Sequence, residues 1–570
     1  MPASNPLASQ ITITLEGQPL SEEVLGRLRA VSVDQHAHLP DTFLIRLMDT
    51  DLKMLDEGPF DLGKRLKIEA ENAEGEKSTL LEGEVTALEP DFQEGMLAEL
   101  VVRGYDFSHR LYRQPRTATY LNVKDSDLAE QIARQANLQA QTEPTAAVYE
   151  HVFQHNQSDL RFLRERARRI GYECFVQGNT LYFRKPPASG QPAVTLTWGQ
   201  DLHTFAPRMS VAEQVEEVVV RGWDPARQQS IVGRAQQGGL YPAIGESKDG
   251  AAWAGSLGGG KKVVVRQPVS NQEEANTLAE ALLNEISGAF IQAEGRAFRR
   301  PDIRAGEKVQ IEGVGQRLSG AYLVTQARHT FTPSGLQTTF RAQGVRSGLL
   351  RDALRPKSAA PPWGGVVTAV VTNADDPDKV GRVKIKFPWL SDDAESFWAR
   401  LAAPGAGQEA GLCLIPAVGD EVVVAFEQGD FNRPVVLGGL WSSAQKPPPP
   451  TTQADGEMPK AQSWRSRSGH AIVMMDNAEN KVSVETAGGH TLTLDDANKK
   501  IEVVSSGGLK VVLDDNTSKI TLESGGDVEV TARGSLKVQA NAGISLEAAA
   551  NLDLKANGVV TVKGSLIKLN

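Results

Sequence analysis

Residues 527–570 read DVEVTARGSLKVQANAGISLEAAANLDLKANGVVTVKGSLIKLN. Val528, Leu536, Ile544, Leu552 and Val560 recur at a spacing of eight, and Val530, Val538, Leu546, Leu554 and Val562 follow them two positions later. Each unit is a short alternating strand closed by a corner of Gly, Ala, Asn or Ser. It offers only two inward apolar side chains. So thin a stripe cannot enclose a core within one chain, since a solitary β-solenoid takes roughly 20 or more residues per coil. Three copies wound about a shared axis can enclose one. Each strand then supplies one face of a triangular prism, and the backbone pairs between chains. These ten residues are the expected trimer core. A long antiparallel barrel from one chain is the competing reading, but the eight-residue units lack the hairpin turns it needs.

Working back from this segment, a longer period takes over. Leu492, Leu494, Ile501 and Val503 recur 19 residues on as Val511, Leu513, Ile520 and Leu522, and Asp495-Asp496 recurs as Asp514-Asp515. Each copy is two short strands and a turn, with Ile472 and Met474 in the copy before. With about eleven strands at ~4.8 Å per stacked strand, the shaft is roughly 50 Å long. The Asp pairs read as turn residues rather than calcium ligands. His470 and His490, 20 residues apart, are placed to stack near the start of the shaft; no metal site is expected there or at His36 and His38.

Upstream, Pro-rich residues 442–463 read as a linker, with Pro447–Pro450 a stiff extended rung. Residues 361–441 alternate in Val383, Ile385 and Phe387 and again in Val422, Val424 and Phe426. Short strands between turn clusters fit a small OB-type barrel. Residues 8–110 alternate in Ile11–Leu15, Arg65–Glu69 and Glu99–Val102, as antiparallel β structure does. Residues 120–186 change period: a helix runs from Asp125 or Ser126 to about Asn137, and a second follows Ser158 and ends at Gly171. The polar side of the second carries Arg161, Arg164, Arg166, Arg168 and Arg169. It reads as a solvated face, or as a docking face for an acidic neighbour. Residues 195–350 return to strands, with one helix near 272–287. The glycine-rich run 233–262, GSLGGGKK included, lacks phosphate-loop spacing and reads as a flexible loop.

The first half also repeats. Phe60–Glu69 resembles Ile303–Glu312, Leu81–Gly83 resembles Leu318–Gly320, and Leu100–Gly104 resembles Phe340–Gly344, in one order with similar gaps. They are taken as two copies of one β-barrel.

The chain has 570 residues, 40% of them hydrophobic and 53 of them Gly, and a net charge of −10. That charge argues against a fold-wide surface for nucleic acid or anionic lipid. Cys174 and Cys413 read as small buried hydrophobes. No secretory signal and no apolar run of about 18 residues is evident. GxSxG and HExxH are absent, so no catalytic residues and no cofactor are assigned.

These features together resemble the VgrG/phage baseplate spike family. VTNADDPDKVGRVKIKFPWL and VGDEVVVAFEQGDFNRPVVLGGLW, within Val366–Trp441, look like its OB module. FQHNQSDLRFLRERARRIGYECFVQGNTLYFRKP at 153–186 and VRGWDP at 220–225 look like its hub. The C-terminal repeats look like its triple β-helix. The resulting fold class is mainly β. Hub β-barrel 1 is placed at 1–115, an α/β subdomain at 116–192, hub β-barrel 2 at 193–355, the OB barrel at 361–441, the linker at 442–463 and an intertwined trimeric β-helix at 464–570.

The resemblance implies a homotrimeric central spike of a contractile injection system: a phage-tail-like particle or type VI secretion. Two hub barrels per chain give a pseudo-sixfold ring that can meet a hexameric inner tube. Implied partners are tube and baseplate proteins, effector cargo and a PAAR-type tip protein, with only transient contact with the target membrane. Leu566, Ile567, Lys568, Leu569 and Asn570 are the expected docking residues for that tip. With about 22 residues between OB barrel and needle there is no room for an enzyme domain, so a bare spike is expected, made in the cytoplasm and assembled into a baseplate. A glycan-degrading tail enzyme and a trimeric adhesin or tail fibre are the alternatives. The first needs paired carboxylates on broad coils; the second would lack the duplicated hub.

Overall fold

Alternation along Ile11-Thr12-Ile13-Thr14-Leu15 buries Ile11, Ile13 and Leu15 and leaves the threonines at the surface side. The same pattern builds each strand that follows. The computed structural model describes residues 11–569 apart from 188–191, 193, 225–226, 240–241, 346–364, 392, 450–453 and 456–457. Expectations for Pro450, the 355–361 boundary and Asn570 lie outside the described residues. Two units separate at Leu440/Trp441.

In the first unit, β1 (Ile11–Leu15), β2 (Leu28–His36), β3 (Thr42–Met48), β4 (Arg65–Glu71), β5 (Lys77–Gln93) and β6 (Leu97–Asp106) pair in the order β2-β3-β6-β5-β4-β1. Later come β7 (Val194–Thr197), β8 (Leu202–Met209), β9 (Ile291–Phe298), β10 (Lys308–Glu312), β11 (Gly320–Leu323), β12 (Gln326–Thr332) and β13 (Gly335–Ala342). They pair as β8-β9-β13-β12 and β7-β10-β11. The two orders are the same once β11 and β12 stand for the halves of the long β5. The copies match in detail. Gly63 and Gly306 both sit at φ 84°, where a side chain would be strained. Their amides donate to Val85 O and Val324 O, both at 2.8 Å. A bulge falls between Leu28 and Ala30 of β2, and another between Leu202 and Thr204 of β8. One feature differs: β1 runs antiparallel to β4, whereas β7 runs parallel to β10.

The ladder corrects two of the three repeat anchors. Leu66 faces Gly83 and Val309 faces Tyr322, so Gly83 corresponds to Tyr322, not Gly320. Val102 likewise corresponds to Phe340, since each lies opposite the third residue after its Val85 or Val324. Both slips are of two residues, which leaves every side chain on the same face of its strand.

Within the chain the copies join through β12 on β2, with Phe331 opposite Val31 and Gln326 opposite His36. The hairpin of β12 and β13 drives Phe331 and Leu336 into the first copy's core, both fully buried. His329 in this joint is buried too. It bonds Thr338 Oγ1 through Nδ1 at 3.0 Å. Burial, with Arg304 nearby, pushes its imidazole down to about 3. A histidine depressed in the fold binds its proton more readily unfolded, so stability is lost as pH falls from about 6.5 toward 3. His329→Gln is expected to flatten the decline in thermal midpoint over that window; a decline as steep as that of the unsubstituted chain would rule His329 out as its source.

Between the copies, helices α1 (Asp125–Gln135) and α2 (Asp159–Arg169) pack on short strands and bury Leu128, Ile132, Leu160 and Leu163. Four of the five arginines on the polar face of α2 meet partners off the helix, and Arg161 pairs with Glu165 on it. Arg169 pairs with Glu274 at 2.7 Å and Arg168 with Glu285 at 2.9 Å, both on α3 (Gln272–Gly288). Arg166 pairs with Asp125 and lies over Tyr149; Arg164 donates to His38 O and Cys174 O. The acidic neighbours thus lie within the chain itself, on α3 and α1, and guanidinium groups suit such sites because they remain charged when buried.

The glycine-rich run is also structured. Gly250–Ser256 is a short helix and Lys261–Val264 a strand. A Cβ at Gly233 would fall 2.2 Å from the Ala275 carbonyl, so the residue marks a close approach of backbone rather than freedom. Cys174 is buried, which pushes its thiol up to about 12, but Cys413 is exposed, contrary to expectation. Strands Val367–Asn373, Lys384–Lys386, Arg400–Leu401, Glu421–Phe426 and Pro434–Gly439 form one five-stranded sheet over Val371, Ile385, Phe387 and Val424. His155 and Phe153 stack on Phe431, fixing this OB sheet to the α/β segment.

Candidate assembly surface

The second unit contains a meander of seven five-residue strands, from Ala461–Arg465 to Lys519–Glu523. Every strand pairs antiparallel with the next, within the chain. Interchain backbone pairing, expected of the prism, therefore does not describe this zone. The corners explain the period. Ser466, Thr486 and Ser505 each donate their backbone N–H to the carbonyl four residues on, at His470, His490 and Leu509. His470 Nδ1 accepts the Ala487 amide at 3.2 Å, and His490 Nδ1 accepts the Ser506 amide at 3.2 Å. At the other edge Asp495 accepts the Asn498 amide at 2.8 Å, and Asp514 accepts those of Asn516 and Thr517. The bonds from Asn498 hold the Asp495 carboxyl below its usual range. The histidines and aspartates are corner fasteners, and their spacing is the hairpin repeat itself.

Register sorts the side chains onto two faces. One face carries two columns: Met474, Val482, Leu494, Ile501, Leu513, Ile520, and beside them Ile472, Val484, Leu492, Val503, Val511, Leu522. These side chains are 37–69% exposed. The other face carries Ser483, Thr493 and Glu502, with an edge ladder Lys481–Asp495–Lys500–Asp514–Lys519 of alternating sign. Ser483 is buried and the ladder is half-buried from Lys481 to Asp514, with Lys519 exposed. A sheet of a soluble monomer turns its apolar face inward; this one buries Ala461, Ala471 and Val473 at its first hairpin but leaves both long apolar columns outward. Continuous exposed apolar columns mark an assembly surface.

Past Glu523, the described residues carry no assigned strand. The ten octad residues from Val528 to Val562 are 51–69% exposed, and nothing among the described residues gathers them. Leu566, Ile567 and Leu569 are 72%, 50% and 92% exposed, and Lys568 is exposed. Among the described residues no cluster of three or more His, Cys, Asp or Glu could hold a metal. The sequence repeat names ten of these twelve column residues, all but Val482 and Val484, and what it did not give is the pairing of their strands within the chain. The signal was there: residues 472 to 522 alternate at hairpin spacing, with Asp-Asn and Ser-Gly turn chemistry between strands.

Comparison with known proteins places two family models on the chain. The Alg8 N-terminal domain matches residues 6–333, and the type VI secretion system/phage-baseplate injector OB domain matches 367–441. The type VI secretion system spike protein VgrG1a of Pseudomonas aeruginosa is 28% identical over 216 residues, 31% of this chain and 34% of that protein. VgrG5 of the same organism is 26% identical over 342 residues, 52% of this chain and 41% of that protein. The matches thus span about a third to two fifths of those relatives' length. A chain of the Francisella PdpA–VgrG complex, half-lidded, superposes with a TM-score of 0.50 at 9% identity, covering 90% of this chain and 88% of its own; that likeness shows the fold.

Proposed function

The chain belongs to the Alg8 N-terminal domain family and to the VgrG/phage baseplate spike family, and on that footing we propose that it is the trimeric central spike and hub of a contractile injection system. The observation that carries this reading is the outward apolar face of the meander, continued by the exposed octad residues. Three copies turning those columns toward one axis would bury them and leave the charged ladder in water, which is the arrangement a rigid needle requires. The mechanism is mechanical. Contraction drives the inner tube forward, and the needle meets the envelope first. Stiffness comes from paired backbone and a continuous apolar core.

The duplicated first unit supplies six similar sheets per trimer, a fit for a hexameric tube. Tube, baseplate and cargo proteins are the partners this assigns. The role needs no catalytic group. Native mass measurement in dilute buffer tests the core of the proposal: a trimer is expected, and a well-folded single subunit would overturn it. Imaging of assembled particles tests the role, since a spike lies on the baseplate axis and a fibre at the periphery.

Leu566 to Asn570 are proposed to seat a PAAR-type conical protein on three exposed apolar ends. Deletion of 566–570 is expected to leave a soluble trimer that no longer retains such a protein in a pull-down. Full retention would show that the seat lies elsewhere.

A further inference from the structure

The OB barrel meets the α/β segment along one strand, Val148–Ser158. His151, Phe153 and His155 of that strand set a row of three rings against the barrel. Phe153 and His155 stack on Phe431 with ring centres 4.9 and 4.4 Å apart, and His151 stacks on Phe397 at 6.2 Å. Phe431 carries the row on into the barrel, against Phe426 and Phe387. Two polar contacts cross the same joint. The Phe153 amide donates to Asn432 Oδ1 at 2.8 Å, and His151 Nε2 lies 3.1 Å from Glu395 O. We propose that this joint is an acid-released latch, in which protonation of His151 and His155 loosens the OB barrel from the α/β segment.

The geometry of His151 gives the reason. A carbonyl only accepts, so the contact with Glu395 O places the proton of the neutral ring on Nε2. Nδ1 is buried and has no hydrogen-bond partner among the described residues. Acid adds its proton there, making a buried donor and a buried charge with nothing to receive either. Lys384 of the OB sheet, which lies over Trp398, repels that charge. His155 is half-buried between Phe153 and Phe431, where an imidazolium loses its hydration. Burial depresses both imidazoles; at His151 the Glu395 carbonyl pulls the other way and Lys384 deepens the depression.

The other charged groups on the elements that meet here have their own places. Asp430 accepts from Asn432 and lies 3.9 Å from Arg433, which also donates to Ser270 Oγ. Arg116 pairs with Asp159. Lys386 sits opposite Glu395 at an isolated bridge; Glu395 and Glu150 are exposed, and Lys124 is a further cation. A histidine depressed at the docked joint takes its proton more readily undocked. Docking is therefore at full strength above about pH 6.5 and is lost as pH falls through the docked values. Phenylalanine would stack as well in the neutral joint; the two imidazoles add the response to acid.

The test is hydrogen exchange of the full chain at pH 7.5 and 5, expressed as protection relative to the unstructured rate at each pH. Peptides over 148–156 and 427–434 are expected to lose at least tenfold in protection at pH 5, since each histidine can favour the open joint by up to about thirtyfold there. Strand β3, in the first copy's core, should keep its protection, which separates the latch from unfolding through His329. His151→Gln with His155→Phe keeps a donor to Glu395 O and a ring on Phe431, and should hold the joint closed at both pH values. Phe431→Ala should open it at both. Protection that is unchanged in acid, that falls equally in the double variant, or that falls only together with β3 overturns the latch. A Phe431→Ala chain as protected at pH 7.5 as the unsubstituted one overturns it as well.

Discussion

Replacing Ile544 by Asp is expected to abolish the folded trimeric needle or to lower its melting midpoint by ~10 °C or more. Ile544 is 55% exposed in the single chain, so in a monomer the change would be a mild surface substitution, worth about 0.5 kcal/mol or less. In three chains wound about one axis the same change puts three carboxyls into one apolar layer. Each must be desolvated without a partner, at a cost of several kcal/mol, or must take up a proton. For elements of this size ~1 kcal/mol shifts a midpoint by roughly 2–4 °C. Ser545→Asp is the control. It adds the same charge one residue away, on the opposite side of an alternating strand, and should leave the melt unchanged. Equal behaviour of the two variants would remove the prism from residues 527–570.

Alternation made most of the fold legible. Strands such as Ile11–Leu15 and Glu421–Phe426 bury every second residue as the sequence spells it. The helix on Leu128 and Ile132 and the one on Leu160 and Leu163 show their stripes equally plainly. What stayed hidden depends on partners far along the chain. The repeat could be aligned only to within two residues, because a shift of two preserves the face pattern of a strand; hydrogen bonds at Gly63 and Gly306 were needed to settle it. The meander was concealed differently. Its apolar residues alternate as they would in a monomer's sheet, and only the absence of any element to cover them distinguishes the two cases. The arginines of α2 were hardest, since a charged helix face looks the same whether it meets water or a carboxylate 105 residues away.

That last point has a measurable consequence in Arg169. Its side chain is 16% exposed and that of Glu274 is 8% exposed. Burial pushes the Glu274 carboxyl up, and Arg169 with the Ser270 amide more than offsets this, so the group lies below its usual range. Arg169→Ala leaves that carboxylate buried with its main counter-charge gone, and also removes the donor to Pro268 O. Breaking a buried pair from one side costs about 3–5 kcal/mol, and the loss should appear as a lower unfolding midpoint and faster hydrogen exchange along α3. Acid sharpens the test. A carboxyl depressed in the fold contributes stability above its unfolded value, near 4.5, and loses it as pH falls through the folded one. The intact pair therefore weakens in acid. In Arg169→Ala the carboxyl moves upward instead and takes a proton early, so the gap between variant and unsubstituted chain should begin to narrow above pH 4.5 and go on narrowing below it. Arg169→Met combined with Glu274→Met should recover most of the midpoint, since neither charge is then stranded. If Arg169→Ala costs nothing at neutral pH, α2 does not clamp the second copy, and its arginines are as solvated as their sequence alone suggests.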